Sequence, residues 1–307
     1  MKKRIQNRLA ESRFAFPVMI IYGLAVWLGA GTVTEGAYLQ LAFFVASTLL
    51  MMMLNNTNSL IRIYSRMVSC SFVAMTCAAT FLFSSLESCA TGMCFILFYL
   101  SLLRSYQDKR APGIAFYSFA CLGIASLFFV QILYFVPFLW ILMASNMMAL
   151  THRMFWATVL GLVMPYWFAV GYYVVTNQFD AFIDHFAELA QFEPLLQYEA
   201  LDIHRIATFG LVVLLAVIGI IHYMRNSYQD KIRTRMIFEM FITVDILSFV
   251  FIILQPQHFD NLLPIIIVNT SCLFAHYVAL TRTWLTNVTF IVMCLATLGL
   301  TIFNLMP

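Results

Sequence analysis

Long apolar runs, separated by short polar or basic segments, succeed one another along the chain. They lie near 15–30, 37–54, 68–84, 88–103, 113–130, 132–150, 155–175, 206–223, 236–254, 261–280 and 284–304. About 20 apolar residues, each rising 1.5 Å along a helix, cross the hydrocarbon core of a bilayer. The pattern therefore predicts an all-α, polytopic transmembrane bundle of eleven spans, forming a single integral membrane domain over 1–307. The runs are continuous and do not alternate in short segments, which excludes an outer-membrane barrel.

The parity of the count rests on 113–150. No charged residue occurs from Gly113 to Leu150. As one helix this stretch would be about 57 Å long, nearly twice the hydrocarbon thickness. Two spans with a tight turn near Gln131 fit a bilayer, and Pro137 then bends or breaks the second.

Charge settles the orientation of this reading. With the N-terminus inside, the inner segments are 1–14, 55–67, 104–112, 151–154, 224–235 and 281–283, and they hold 16 of the 17 basic residues. Only Arg205 lies outside, whereas Glu35, Glu87, Asp180, Asp184, Glu188, Glu193, Glu199, Asp202 and Asp260 all do. The positive-inside rule then gives an N-inside, C-outside chain. Lys2, Lys3, Arg4, Arg8 and Arg13 precede the first run as in a signal sequence. No small-residue cleavage site follows, so the run reads as an uncleaved first span. No soluble domain is expected at either end.

Composition agrees. The chain is 63% hydrophobic and 10% charged, against roughly 45–50% and about 25% for soluble domains. A soluble enzyme, a disordered chain and a coiled coil are excluded, and a net charge of +3 gives no basis for nucleic-acid binding. The seven cysteines include no C-x-x-C pair, so neither a zinc site nor a thioredoxin-type site is supported. Cys89 and Cys94 flank a short polar turn. They would pair if it faced an oxidising compartment, and are otherwise buried thiols. No P-loop, dinucleotide fingerprint, H-E-x-x-H or G-x-S-x-G motif occurs.

One outer segment is long, 176–205. Phe179, Phe182, Ile183, Phe186 and Ala190 recur at helical spacing opposite Asp180, Asp184, Glu188 and Gln191. That predicts an amphipathic helix at about 178–192 on the outer face, ended by Pro194. It reads as a lid or platform over an outward cavity. Asp180, Asp184, His185 and Glu188 offer oxygen and nitrogen ligands to a divalent cation; the competing reading is a solvated acidic face.

Inside the spans, Asp245 is the sharpest residue. It lies nine residues into 236–254, about 13–14 Å deep. A carboxylate there must be paired, protonated or in contact with water. Glu239 is shallower and can pair with Arg235 one turn away. In the neighbouring antiparallel span, Asn269 falls near the depth of Asp245 and His276 near that of Glu239. Asn269 and His276 share a face, whereas Glu239 and Asp245 do not, so both pairs cannot be ideal at once. The set reads either as a proton- or cation-coupled site or as helix–helix hydrogen bonding. Arg62 and Arg66, which follow Asn55, Asn56 and Asn58, and Arg104 and Arg110 are inner-side candidates for lipid phosphates.

Two stretches carry a resemblance. One is Arg104-Ser-Tyr-Gln-Asp-Lys-Arg110 followed by Gly113 to Ala144 with Gly123-Ile-Ala125 and Pro137. The other is His258-Phe-Asp-Asn-Leu-Leu-Pro264 entering a span. Over about a quarter of the chain they resemble the membrane core of the GT-C superfamily, polytopic glycosyltransferases that use polyprenyl-phosphate-linked sugars. That resemblance implies a protein acting on or binding such lipids in envelope glycan assembly, with a catalytic acid in the first outer loop, where only Glu35 is present. It departs from the family in lacking the two amphipathic helices of that loop, so a degenerate, non-catalytic member is also implied. The chain is similar as well to a family of bacterial polytopic inner-membrane proteins, which supplies a location but no activity. Two further functions stand beside the GT-C reading. One is a non-catalytic subunit of a membrane complex that binds partner proteins. The other is a transporter centred on Asp245.

The eleven-span reading makes a direct prediction. Reporters fused after Gln131 and after Leu150 should report opposite faces of the membrane; the same face for both would remove one crossing.

Overall fold

In the structure, a computed structural model that describes residues 4–32, 36–191 and 201–306, every regular element among the described residues is a helix. The α-helices are α1 (Ile5–Ala10), α2 (Ala15–Gly29), α3 (Tyr38–Asn58), α4 (Met67–Ala78), α5 (Leu86–Leu102), α6 (Pro112–Phe128), α7 (Val136–Ser145), α8 (His152–Val175), α9 (Phe179–Ala187), α10 (Ile203–Asn226), α11 (Ile232–Leu254), α12 (Phe259–Leu280) and α13 (Trp284–Leu305). Seven stretches, around α3, α5, α8, α10, α11, α12 and α13, are long and apolar enough to cross a membrane, as a multi-pass membrane protein requires. Four shorter apolar helical stretches, Ala15–Gly29, Met67–Ala78, Pro112–Phe128 and Val130–Ser145, account for the remaining apolar runs.

Local chemistry sets the helix ends. Ser85 and Thr151 accept hydrogen bonds from the amides of Ser88 and Met154, and Thr283 with Thr286 forms a capping box. Pro112 starts α6, where its missing N–H costs nothing.

The stretch 113–150 doubles back. Phe129 leaves the helix in an extended conformation, a 3-10 turn spans Val130–Phe135, and α7 begins at Val136. Phe129 packs against His258, and Tyr134 and Phe135 pack against Phe251, all beside the end of α11. Asn146 donates instead to Glu239 near the start of α11, at 2.9 Å, and Gln107 N donates to Met147 O at 2.9 Å. The two arms therefore run in opposite directions. The expected break near Pro137 falls just before it. Pro137 occupies the first turn of α7, where its fixed φ suits helix initiation.

One expectation is corrected. The residues between Cys89 and Cys94 form no turn, because both cysteines lie inside α5 and the whole segment is helical. All seven thiols are free.

At the centre of the bundle is α12. Helices α4, α5, α10 and α11 surround it, and α1 packs at one end. Of its most apolar window, 94% is buried inside the protein. Its neighbours come close through small residues. A Cβ at Gly219 of α10 would lie 2.9 Å from the carbonyl carbon of Leu273. The α6–α8 contact is tighter still, for a Cβ at Gly161 would lie 2.2 Å from Phe116 O. Backbone contact of this kind needs glycine.

Gly161→Val should therefore destabilise the protein by about 1–3 kcal/mol or more. A thermal melt in detergent should show it, while Gly171→Val on the same helix, where a Cβ meets nothing within 4 Å, should melt with the parent.

Candidate functional site

The polar side chains of α12 and its neighbours gather into two buried islands separated by aromatic rings. The first sits at the α11 N-terminus. Asp230 precedes α11, and His276 lies in the last two turns of α12; the two side chains are 2% and 1% exposed. His276 Nε2 lies 2.9 Å from Asp230 Oδ2. Arg62 reaches the same carboxylate at 4.0 Å and donates to Gln229 Oε1 at 2.7 Å, binding the α3–α4 connection to the α10–α11 connection. Asn55, Ser59, Arg62, Gln229, Asp230 and Lys231 line a polar cleft of about 420 Å³.

His222 of α10 adds a second imidazole, its ring centroid 5.5 Å from that of His276. Asn226 Nδ2 lies 3.1 Å from His222 Nδ1. An amide NH2 only donates, so Nδ1 accepts and the neutral ring carries its proton on Nε2. His276 presents Nε2 to the Asp230 carboxylate, so Nε2 is the donor of that bond. His222 Nε2 and His276 Nδ1 are both buried without a protein partner.

The second island lies two to three turns further along. Asp245 is fully buried and its Oδ2 accepts from Thr270 Oγ1 at 3.1 Å. Tyr99 of α5 donates to Asn269 Oδ1 at 2.8 Å. Asp245 Oδ1 and Asn269 Nδ2 have no partner. Among the described residues no cation sits within ion-pair distance of Asp245. Phe238, 4.9 Å from the His276 ring, and Phe241, 4.9 Å from the Tyr99 ring, lie between the islands.

The expected pairings across α11 and α12 are shifted. Thr270, not Asn269, meets Asp245, because Asn269 turns toward α5. His276 bonds Asp230 and not Glu239, which accepts from Asn146. The hydrogen bonds bring Asp245 and Asn269 to one depth as expected, but on different faces of α12.

At the opposite end, the polar groups are committed to packing. Arg205 holds Asp260 through two bonds of 2.9 and 2.8 Å and lies over the Phe81 ring. Asn304 joins α13 to His204, Thr208 and Ala78 O. The amphipathic segment forms α9 and a 3-10 turn to Ala190. Phe182 and Phe186 pack on Tyr166, and Tyr134 donates to Leu189 O. His185 Nε2 is 3.0 Å from Ser126 O, while Asp180, Asp184 and Glu188 stay exposed. Among the described residues no three His, Cys, Asp or Glu side chains gather as a metal set. Arg66 stacks on Tyr64, and Arg104 and Arg110 are exposed and do not line the cleft with Arg62. Glu35 and residues 192–200 lie outside the described residues.

Asp230, His222, Tyr99 and Thr270 were not singled out in the sequence. The available signal was positional, since His222 and Asp230 flank the short connection between two spans, facing the end of α12 that carries His276. No family model, curated protein or solved structure matches the chain.

Because Asp230 and His276 satisfy each other in a dry setting, Asp230→Ala and His276→Ala should each cost about 1–3 kcal/mol. The double variant should cost less than the sum of the two. Additive losses in a thermal double-mutant cycle would show that the pair is not coupled.

Proposed function

We propose that this chain is a proton- or cation-coupled membrane transport protein whose charge-binding group is Asp245. One observation carries the reading. Asp245 Oδ1 is buried at the centre of the bundle without a hydrogen-bond partner or counter-cation among the described residues. A carboxyl in hydrocarbon surroundings is expensive to keep and marks ion or proton pathways in membrane proteins. Thr270 Oγ1 donates to its other oxygen, and on the far side of α12 Asn269 Nδ2 is likewise unpartnered while its oxygen accepts from Tyr99. The Asp230–His276–His222 island then serves as the exchange station at the basic end, with Phe238 and Phe241 as the barrier between the two.

The same reading takes the chain across the membrane eleven times, N-inside and C-outside, in a bacterial inner membrane. Two features support it: the reversal at Phe129 and the concentration of arginine and lysine at the Asp230 end. Under it Arg205, the basic residue out of place, is neutralised by Asp260. The GT-C reading, with Glu35 acting on a polyprenyl-phosphate sugar, and the partner-binding subunit are the competing proposals.

Asp245→Asn keeps an acceptor for Thr270 and removes the titratable group. Reconstituted into liposomes with an entrapped pH dye and an imposed sodium or potassium gradient, the parent should carry flux well above empty vesicles. The Asn variant should lose at least tenfold while eluting and melting normally. Equal flux from both proteins, or none from the parent, would overturn the proposal; a change in melting alone would assign Asp245 to packing.

A further inference from the structure

On one flank of the bundle a groove of about 640 Å³ separates α2 from α13. Its floor comes from α4 and α12, through Cys70 and Phe274, and its sides from α2 and α13, through Val18 and Phe290. Both ends are closed. At one end Tyr22 OH and Thr301 Oγ1 are 2.9 Å apart and tie α2 to α13. At the other, α1 lies across the opening with Ile5 and Leu9 turned into it.

This sill is fastened from behind. Gln6 donates to Val278 O at 2.7 Å and to Thr281 Oγ1 at 2.6 Å, and Asn7 donates to Thr281 O at 2.9 Å. Gln6 N also donates to Asn287 Oδ1 at 3.1 Å. So short a helix does not hold itself. These bonds fix it where α12 ends and α13 begins.

The groove is apolar along its length and basic at its sill. The wall residues run from Phe14 to Tyr22 on α2 and from Phe290 to Leu298 on α13. At 1.5 Å per residue each wall is about 12 Å long, close to the roughly 15 Å of hydrocarbon in one leaflet. Arg4 is next to Ile5, Arg8 is next to Leu9, and Arg13 stands between Ser12 and Phe14, so a guanidinium follows or precedes each lining residue of the sill. Arg8 and Arg13 are exposed, whereas Arg4 Nη1 is buried. One carboxylate, Glu11, belongs to the same segment.

We infer that this groove is a binding site for one anionic phospholipid, one acyl chain lying between α2 and α13 and the phosphate at Arg8 and Arg13. An apolar trough one leaflet deep fits a hydrocarbon chain. Two exposed guanidiniums at the sill, Arg8 and Arg13, favour a headgroup of net negative charge over a zwitterionic one. The site does not involve Asp245 and holds whichever way the transport proposal falls.

The test uses the full-length protein in nanodiscs of equal phosphatidylcholine and phosphatidylglycerol, re-extracted in mild detergent and weighed by native mass spectrometry. One phosphatidylglycerol should be retained per protein, at least fivefold over phosphatidylcholine. Arg8→Gln with Arg13→Gln should keep a bound lipid but lose that preference. Val18→Trp, entering the groove from an exposed position, should lose the lipid while the protein elutes as a single species. Equal retention of both lipids, a preference unchanged in the double arginine variant, or a protein in fixed ratio in place of the lipid would each overturn the site.

Discussion

A helix enclosed on every side by other helices must satisfy its polar side chains from within the protein. That constraint governs α12. It carries Asn269, Thr270, Ser271 and His276, all buried, and neither water nor headgroups can serve them. Their partners come from four directions: Tyr99 on α5, Asp245 on α11, Asp230 before α11, and the Met75 sulfur on α4. These bonds set the rotation of α12 about its axis. That rotation in turn presents Leu273 to Gly219 and leaves Phe274 on the floor of the lateral groove.

The large-scale plan was legible because hydrophobicity along a membrane helix is a one-dimensional signal. Each apolar run became a helix, and the uncharged length of 113–150 was enough to require a reversal. Detail that depends on rotation about a helix axis was not legible. Asn269 and Thr270 are adjacent, and only the packed arrangement decides which of them meets Asp245. His276 had two acidic candidates, Glu239 inside the span and Asp230 before it, and the sequence drew attention to the one inside. The apparent turn between Cys89 and Cys94 was a polar interval in a helix that is buried rather than solvated, so its threonine and glycine serve close packing. Arg205 stood as an exception to the charge bias because its partner Asp260 is 55 residues away.

The two islands differ in a way that bears on chemistry. Around Asp245 the unsatisfied atoms are a carboxyl oxygen and an amide nitrogen, an acceptor and a donor held by different helices. In the imidazole pair the atoms without a protein partner are both ring nitrogens, His222 Nε2 and His276 Nδ1. Each island thus keeps buried polar atoms that no described side chain satisfies.

The position of α12 in the chain has a consequence for biogenesis. The helix that fills the centre emerges from the ribosome after all four of those that surround it. Until it arrives, Tyr99, Asp245 and Asp230 face an unfilled core, and the flanking helices have nothing to close upon. Assembly is accordingly a late event, triggered by the insertion of one segment. A translation product that stops short of residue 259 would present a buried-type carboxylate and unpaired hydroxyl groups to the lipid, and so become a substrate for membrane proteolysis.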